Sequence, residues 1–114
     1  MEKKIGFVYQ KLLEEAGEIA ISKQEKLTVH RKKDQSLVSE VDYEIELFLK
    51  NRILKKFPND LFIGEEYGIE NLRKEHQKRI WAIDPIDGTN PYIKGLPTWG
   101  ICIGLMHENT PLAG

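Results

Sequence analysis

Two short apolar segments that each run into a group of carboxylates constrain the fold of this chain more than any other feature. Residues 61–63 are followed by Gly64-Glu65-Glu66, and residues 80–83 are followed by Asp84-Pro85-Ile86-Asp87-Gly88-Thr89. Short apolar runs bounded by turn residues are typical of buried β-strands. If the strands are neighbours, their acidic ends meet. Crowded carboxylates repel, so such a cluster is tolerable mainly when a cation neutralises it.

The residue types in these acidic groups favour a hard divalent cation. Carboxylate and carbonyl oxygens select Mg²⁺, Mn²⁺ or Ca²⁺ rather than zinc, and no Cys/His set at metal-ligand spacing competes with them. Pro85 fixes its own φ, and Gly88 permits a backbone geometry closed to other residues. The turn can therefore aim three groups inward together: Asp84, the carbonyl of Ile86, and Asp87. The alternative is that Asp-Pro and Asp-Gly are ordinary turn pairs, which leaves Glu65-Glu66 unexplained.

Two amphipathic helices are predicted from hydrophobic periodicity. Apolar residues recur at three- and four-residue steps over 5–20, with charged residues between them. Ser39 and Asp42 have the spacing of a capping box, and the apolar pattern that follows predicts a second helix over 41–56. The turn-forming residues 57–60 are expected to end it.

Short strands fill most of the remaining chain. They are predicted at 61–63, at 80–83 with an interruption at the Asp84-Pro85 step, and at 98–106. Residues 111–114 resemble the start of a hairpin partner for the last of these. Residues 66–79 are expected to form a surface loop or a short helix, and residues 27–29 are left open between strand and loop. The expected fold class is α+β, with two amphipathic helices packed on an antiparallel sheet.

Composition excludes several classes of function. The chain has 114 residues, of which 40% are hydrophobic, enough for one domain with a modest core. Its net charge of −1 provides no basic field for nucleic acid or anionic lipid. The first residues lead into an amphipathic rather than a continuously apolar segment, which favours a cytoplasmic protein without signal peptide or membrane span. The single cysteine, Cys102, is expected to be a small buried core residue rather than a nucleophile.

The acidic segments also carry a family resemblance. The chain resembles the inositol monophosphatase superfamily, whose pattern of Gly-Glu-Glu followed by Trp-x-x-Asp-Pro-Ile-Asp-Gly-Thr appears here as Gly64-Glu65-Glu66 and residues 81–89. Residues 32–42 are similar to the family stretch Lys-x-Asp-x-Ser-x-Val-Thr-x-x-Asp. Residues 92–100 are similar to the histidinol-phosphatase-like and bacterial branches. The resemblance covers essentially the whole chain and implies the N-terminal part of a layered α/β carbohydrate-phosphatase fold.

By this resemblance, the chain belongs to a magnesium-dependent phosphomonoesterase. The expected substrate is a small phosphorylated metabolite such as inositol phosphate or histidinol phosphate, and the full-length form is expected to be a homodimer. Mg²⁺ is the implied cofactor, with Mn²⁺ as a substitute. The implied metal ligands are Glu65, Asp84, the backbone carbonyl of Ile86, and Asp87.

The resemblance also implies catalytic and phosphate-binding roles. Asp42, Glu65 and Thr89 are the expected catalytic residues. Thr89 and Asp42 form a hydrogen-bonded pair that, with Glu65, orients or deprotonates the attacking water. The backbone amides of Gly88 and Thr89 are expected to point at the substrate phosphate. Glu66 is left open between a supporting group and a solvent-facing charge.

Several residues depart from the family pattern or favour ordinary structural roles. Asn90 stands one position earlier than in many members and Pro91 takes its place, so substrate contacts from this loop are not carried over. Lys32 and Lys33 either steer an anionic substrate or form a solvated basic face. The three histidines are predicted to be ordinary surface residues: His30, His76 and His107.

Family members are expected to be more than twice as long as this chain. Residues 1–114 therefore resemble a single N-terminal metal-binding domain of a truncated phosphatase whose C-terminal domain is absent, with little activity of its own. The alternative hypothesis is a non-catalytic module for divalent-cation binding or dimerisation.

Overall fold

Seven strands and three helices follow one another in a computed structural model that describes residues 2–34, 37–70, 79–108 and 110–114. The helices are α1 (Glu2–Lys23), α2 (Glu40–Lys56) and α3 (Thr89–Ile93). The strands are β1 (Val29–Arg31), β2 (Leu37–Ser39), β3 (Leu61–Gly64), β4 (Gly68–Glu70), β5 (Arg79–Asp87), β6 (Gly100–His107) and β7 (Thr110–Ala113). Both predicted long helices are therefore confirmed.

The main sheet has the strand order β4-β3-β5-β6-β7, and its second pairing is parallel. The predicted α+β class is confirmed, but the sheet is mixed rather than antiparallel. The cause is β4, which occupies residues predicted as a loop or short helix. Because β4 reverses the chain along the outer edge of β3, the next strand runs in the same direction as β3. The additional strand β4 therefore accounts for the parallel pairing of β3 and β5.

The hydrophobic core lies between the two long helices and the sheet. Trp81 of β5 is fully buried at its centre, and its ring stacks on Phe57 with the centroids 5.6 Å apart. Fully buried residues from both helices and β3 surround this point: Ala16, Ala20, Ile45, Leu49, Ile53 and Phe62. Burial of this apolar surface, at about 25 cal/mol per Å², is the main force that fixes α2 against the sheet.

The buried face of α2 is not purely apolar. Besides the predicted apolar residues, it includes two acids one helical turn apart, Asp42 and Glu46, which are 2% and 0% exposed. Acidic side chains are almost never fully buried unless they are partnered. Both carboxylates therefore point to polar interactions inside the fold.

The two-stranded sheet was only partly predicted from the sequence, whereas the last hairpin is as predicted. β1 pairs with β2, with Val29 opposite Ser39. Of residues 27–29, which were left open between strand and loop, only Val29 lies in a strand. β7 pairs with the end of β6, as the predicted hairpin required. No helix in the described parts of the chain combines the length and apolarity that a bilayer crossing needs.

Candidate functional site

The parallel pairing of β3 and β5 brings the two acidic groups to one edge of the sheet. Gly64 lies opposite Ile83, and the N–H of Glu65 donates to the Ile83 carbonyl at 3.3 Å, which extends the ladder one residue further. Glu65 and Asp84 are consequently neighbours at the point where the two paired strands meet the acidic groups. Neighbouring carboxylates repel, which favours a proton on one of the two groups.

Asp84 is the most perturbed acid in the described structure. Burial, the hydrogen bond with Glu65 and the charges of Glu65, Asp87 and Asp42 together raise the pKa of Asp84 to about 7. Its Oδ1 atom is buried and has no hydrogen-bond partner among the described residues. A buried oxygen acceptor without a partner is costly, so this atom marks a position where a donor or a cation belongs.

A bulge in β5 brings Asp87 to the same face as Asp84. Asp84 pairs with Cys102 and Asp87 with Gly100, so three steps along β5 match two along β6. The extra residue interrupts the alternation between the two faces of the strand. As a result, the consecutive residues Pro85 and Ile86 are both buried. The predicted interruption at Asp84-Pro85 is therefore a bulge within one strand rather than the end of a strand.

Cys102 lies beside these acids and is exposed, so the prediction of a buried core residue was wrong. Its side chain leaves the face of β6 opposite the core, with Sγ 4.0 Å from Asp87 Oδ2. Partial burial and the charges of Asp87 and Asp84 raise the pKa of the thiol. The protonated thiol is a poor nucleophile, in line with the predicted absence of such a role.

The structure contains the hydrogen-bonded pair of Thr89 and Asp42. The Thr89 hydroxyl lies 3.1 Å from Asp42 Oδ1 and 3.2 Å from the Ile86 carbonyl, so its single proton serves one acceptor at a time. Asp42 Oδ2 accepts from the N–H of Ser39 at 2.9 Å and from its hydroxyl at 2.7 Å. The helix cap at Ser39 therefore also holds Asp42 in place.

Gly88 makes the turn into α3 possible. Its φ of 92° is left-handed, and a Cβ atom there would lie 2.9 Å from the Thr98 carbonyl oxygen. Pro91 falls in the first turn of α3, where a missing N–H costs nothing. The departure from the family pattern at Asn90-Pro91 is therefore compatible with the helix.

Glu66 and Lys32 form an ion pair that the sequence did not indicate. The Lys32 ammonium is 2.8 Å from a Glu66 carboxylate oxygen and 3.9 Å from Glu65. The Glu66 side chain is only 3% exposed, which excludes a solvent-facing charge. Burial raises the pKa of Glu66 despite the attraction of Lys32. Burial lowers the pKa of Lys32, but the hydrogen bond with Glu66 and the nearby negative charges together outweigh burial, so the pKa of Lys32 is raised.

Glu46 is a second site residue that sequence reasoning missed. One carboxylate oxygen accepts from the N–H of Glu66 at 2.7 Å and the other from the N–H of Tyr67. The available signal was its position, because Glu46 falls on the face of α2 that the apolar periodicity turns inward.

A cleft of about 460 Å³ is lined by acidic residues, by two basic residues and by the turn into α3. Its lining includes every residue predicted as a metal ligand and both residues predicted to bind phosphate: Glu65, Asp84, Ile86, Asp87, Gly88 and Thr89. Arg31 and Lys32 contribute the positive charge. His76 lies outside the described residues, and His107 lies opposite Arg79, at the other end of β5 from the acids.

The donor set of the cleft fits a hard cation. In the described parts of the chain, no three acidic, histidine or cysteine side chains converge closely enough to hold a metal as they stand. The neighbouring carboxyl groups of Glu65 and Asp84 nevertheless repel each other, and one of them has a buried oxygen without a partner among the described residues. A cation between them would remove this repulsion, and Mg²⁺ prefers carboxylate oxygen.

Comparison with known proteins gives the class. A model of the inositol monophosphatase family matches residues 2–114. An IMPase/NADP phosphatase solved with Mg²⁺ and phosphate has the same fold, with a TM-score of 0.83 and 22% identity over 97% of this chain and 42% of that one. The chain belongs to the inositol monophosphatase family.

Relatives within the family carry different phosphatase names. The chain is 38% identical to a fructose-1,6-bisphosphatase/inositol-1-monophosphatase of Aquifex aeolicus, over 81% of this chain and 34% of the relative. It is 36% identical to a histidinol-phosphatase of Chlorobaculum parvum, over 90% of this chain and 39% of the relative. The chain thus spans little more than a third of the length of these relatives.

Proposed function

We propose that the protein containing this chain hydrolyses a small phosphate monoester with the help of Mg²⁺. The observation that carries the proposal is the parallel pairing of β3 and β5, which makes Glu65 and Asp84 neighbours in a cleft that Thr89 also lines. One buried oxygen of Asp84 has no hydrogen-bond partner among the described residues. An acidic cleft of this kind repels a phosphate unless a cation intervenes. A phosphate and a divalent cation therefore belong together in this cleft.

Four groups would hold the cation: Glu65, Asp84, the carbonyl of Ile86, and Asp87. A bound Mg²⁺ supplies positive charge that polarises the phosphoryl group and offsets the charge that develops on it. The neighbour solved with Mg²⁺ and phosphate supports Mg²⁺ as the cation, and Mn²⁺ is the expected substitute.

Thr89 and Asp42 would orient the attacking water. Donation from the Thr89 hydroxyl to Asp42 Oδ1 leaves the oxygen lone pairs of Thr89 free to accept a proton of that water. Because Ser39 fixes the other oxygen of Asp42, the pair has one orientation. Glu65, half exposed at the cleft, would take the proton as general base.

The substrate is bound by charge and by backbone amides. The N–H groups of Gly88 and Thr89 are proposed to contact the phosphate at the turn that the left-handed Gly88 creates. Lys32 and Arg31 in the lining of the cleft attract an anionic substrate. The names of the relatives, which cover inositol, fructose and histidinol phosphates, support a small phosphate monoester as the substrate.

The proposal concerns the whole protein, in which residues 1–114 form an N-terminal metal-binding domain. A homodimer and a cytoplasmic location remain predictions from the sequence. The alternative, a non-catalytic cation-binding or dimerisation module, shares the cleft but lacks turnover.

Calorimetry and a phosphate-release assay test the proposal. Mg²⁺ titrated with and without inorganic phosphate is expected to bind more tightly when phosphate is present, whereas a simple cation-binding module binds the two independently. Release of phosphate from inositol phosphate or histidinol phosphate by the whole protein is the second readout. Independent binding together with absent turnover would favour the alternative.

A further inference from the structure

Helix α2 contacts both acidic loops of the cleft through two carboxylates one turn apart. Asp42 accepts from Thr89 in the loop after β5, and Glu46 accepts from two N–H groups in the loop after β3. The role of Asp42 follows from the proposed function, whereas Glu46 touches none of the groups assigned to the reaction. Its complete burial nevertheless requires an explanation, because isolating a carboxylate from water is costly.

The N–H groups of Glu66 and Tyr67 explain the burial of Glu46. β3 ends at Gly64, so these two amides have left the sheet ladder where β3 turns toward β4. Hydrogen bonds to a charged acceptor are about twice as strong as neutral ones. One buried carboxylate therefore satisfies two amides that the end of the strand leaves without a sheet partner.

Gly64 shows how closely the helix side chain approaches the strand. A Cβ atom at this position would lie 2.3 Å from the carboxyl carbon of Glu46 and 2.4 Å from one of its oxygens. Glycine is therefore a steric requirement for Glu46 to reach the turn. Gly64 and Glu46 act as one unit although 17 intervening positions separate them.

We propose that Glu46 is a positioning residue, which holds the turn of residues 64–67 and thereby sets the place of Glu65 beside Asp84. Glu65 lies between the glycine that packs on Glu46 and the two amides that bind it, so its backbone cannot shift independently. Helix α2 is then the common support of both acidic loops. The link to cation binding rests on the proposed function, whereas the link to the turn does not.

The sharpest test replaces Glu46 by glutamine in the full chain. A glutamine retains one acceptor oxygen but turns an NH₂ donor toward the second amide, so one of the two hydrogen bonds is lost. In Mg²⁺-free buffer, amide hydrogen exchange at Glu66 and Tyr67 is expected to be about tenfold faster or more, after correction for global stability. Mg²⁺ affinity by calorimetry is expected to fall by about tenfold or more, because a misplaced ligand weakens binding.

Asp60→Asn is the matched control. Asp60 is also a buried carboxylate and accepts from Trp81 Nε1 at 2.8 Å and from Arg79, but at the opposite ends of β3 and β5. The same chemical change there is expected to lower global stability while leaving the corrected exchange at positions 66 and 67 and the Mg²⁺ affinity unchanged. Equal effects of the two variants at these amides would overturn the positioning role.

A measurement on the unmodified chain keeps the test independent of whether Glu46→Gln folds. Scalar couplings across the hydrogen bonds, from the amide nitrogens of Glu66 and Tyr67 to the Glu46 carboxyl carbon, are expected in the NMR spectrum. Their absence from the folded chain would also overturn the inference. If the whole protein that contains this chain fails to bind Mg²⁺, the proposed function fails, while the couplings and exchange rates still decide the role of Glu46.

Discussion

The hydroxyl group of Thr89 lies 3.1 Å from Oδ1 of Asp42 and joins the loop after β5 to the first turn of α2. The two residues are 47 positions apart in sequence. Because Asp42 is also bound by Ser39, the contact links a helix cap, a buried carboxylate and a hydroxyl in one chain of hydrogen bonds.

Thr89→Ala is expected to reduce turnover of the whole protein by about a hundredfold or more, because the attacking water loses the group that orients it. Mg²⁺ affinity should change little, since the proposed ligands remain. Thr89→Ser retains the hydroxyl and is expected to keep most of the activity. Steady-state kinetics and calorimetry on the two variants check this, and equal loss in both would contradict a role for the hydroxyl.

Stability in the absence of Mg²⁺ is expected to fall as the pH rises from about 4 to 7. The pKa of Asp84 is about 7 in the folded chain against a usual 3.8, so protonated Asp84 favours folding. This contribution is fully present below the unfolded pKa and is lost as the pH passes the folded one. Urea unfolding at pH 5 and pH 8 measures the difference. Asp84→Asn should reduce it, and Mg²⁺ should raise stability at pH 8 but not at pH 5.

Gly88→Ala is expected to lower the free energy of unfolding by about 2 to 3 kcal/mol, because a left-handed φ and a close backbone contact both oppose a side chain. Gly95→Ala is the matched control, since its φ of 78° is also left-handed but no atom lies within 4 Å of the added Cβ. It should cost only about 1 kcal/mol. Chemical denaturation of both variants separates the cost of the left-handed backbone from the cost of the steric clash with Thr98. Equal losses of stability in the two variants would show that the clash with Thr98 contributes nothing.

Lys32→Met is expected to destabilise the fold by about 1 to 2 kcal/mol, because it leaves the buried Glu66 without its cation. Lys33→Met, at the exposed neighbouring position, should have little effect. Adding Glu66→Gln to Lys32→Met should recover most of the loss. Failure of the double variant to recover stability would contradict the ion pair with Glu66 as the cause of the loss.

Local patterns in the sequence were sufficient for the helices and for the nature of the acidic segments. Periodicity located α1 and α2, since an amphipathic helix is specified by its own side chains. The strand β4 escaped prediction because three residues between polar neighbours carry no periodic signal. That omission alone produced the wrong expectation of an antiparallel sheet.

The sequence by itself determined which carboxylates follow two short apolar segments, and that Gly88 lies in the turn after the second of them. Only the tertiary structure decided that β3 and β5 run parallel and that Glu65 therefore lies beside Asp84. It also decided that Lys32 lines the cleft and that Glu46 binds the turn after β3. The physical reason is the separation along the chain of the residues that each kind of structure depends on. A turn or a helix depends on neighbours within a few positions, whereas these contacts depend on how α2 and the β1–β2 hairpin pack against the sheet.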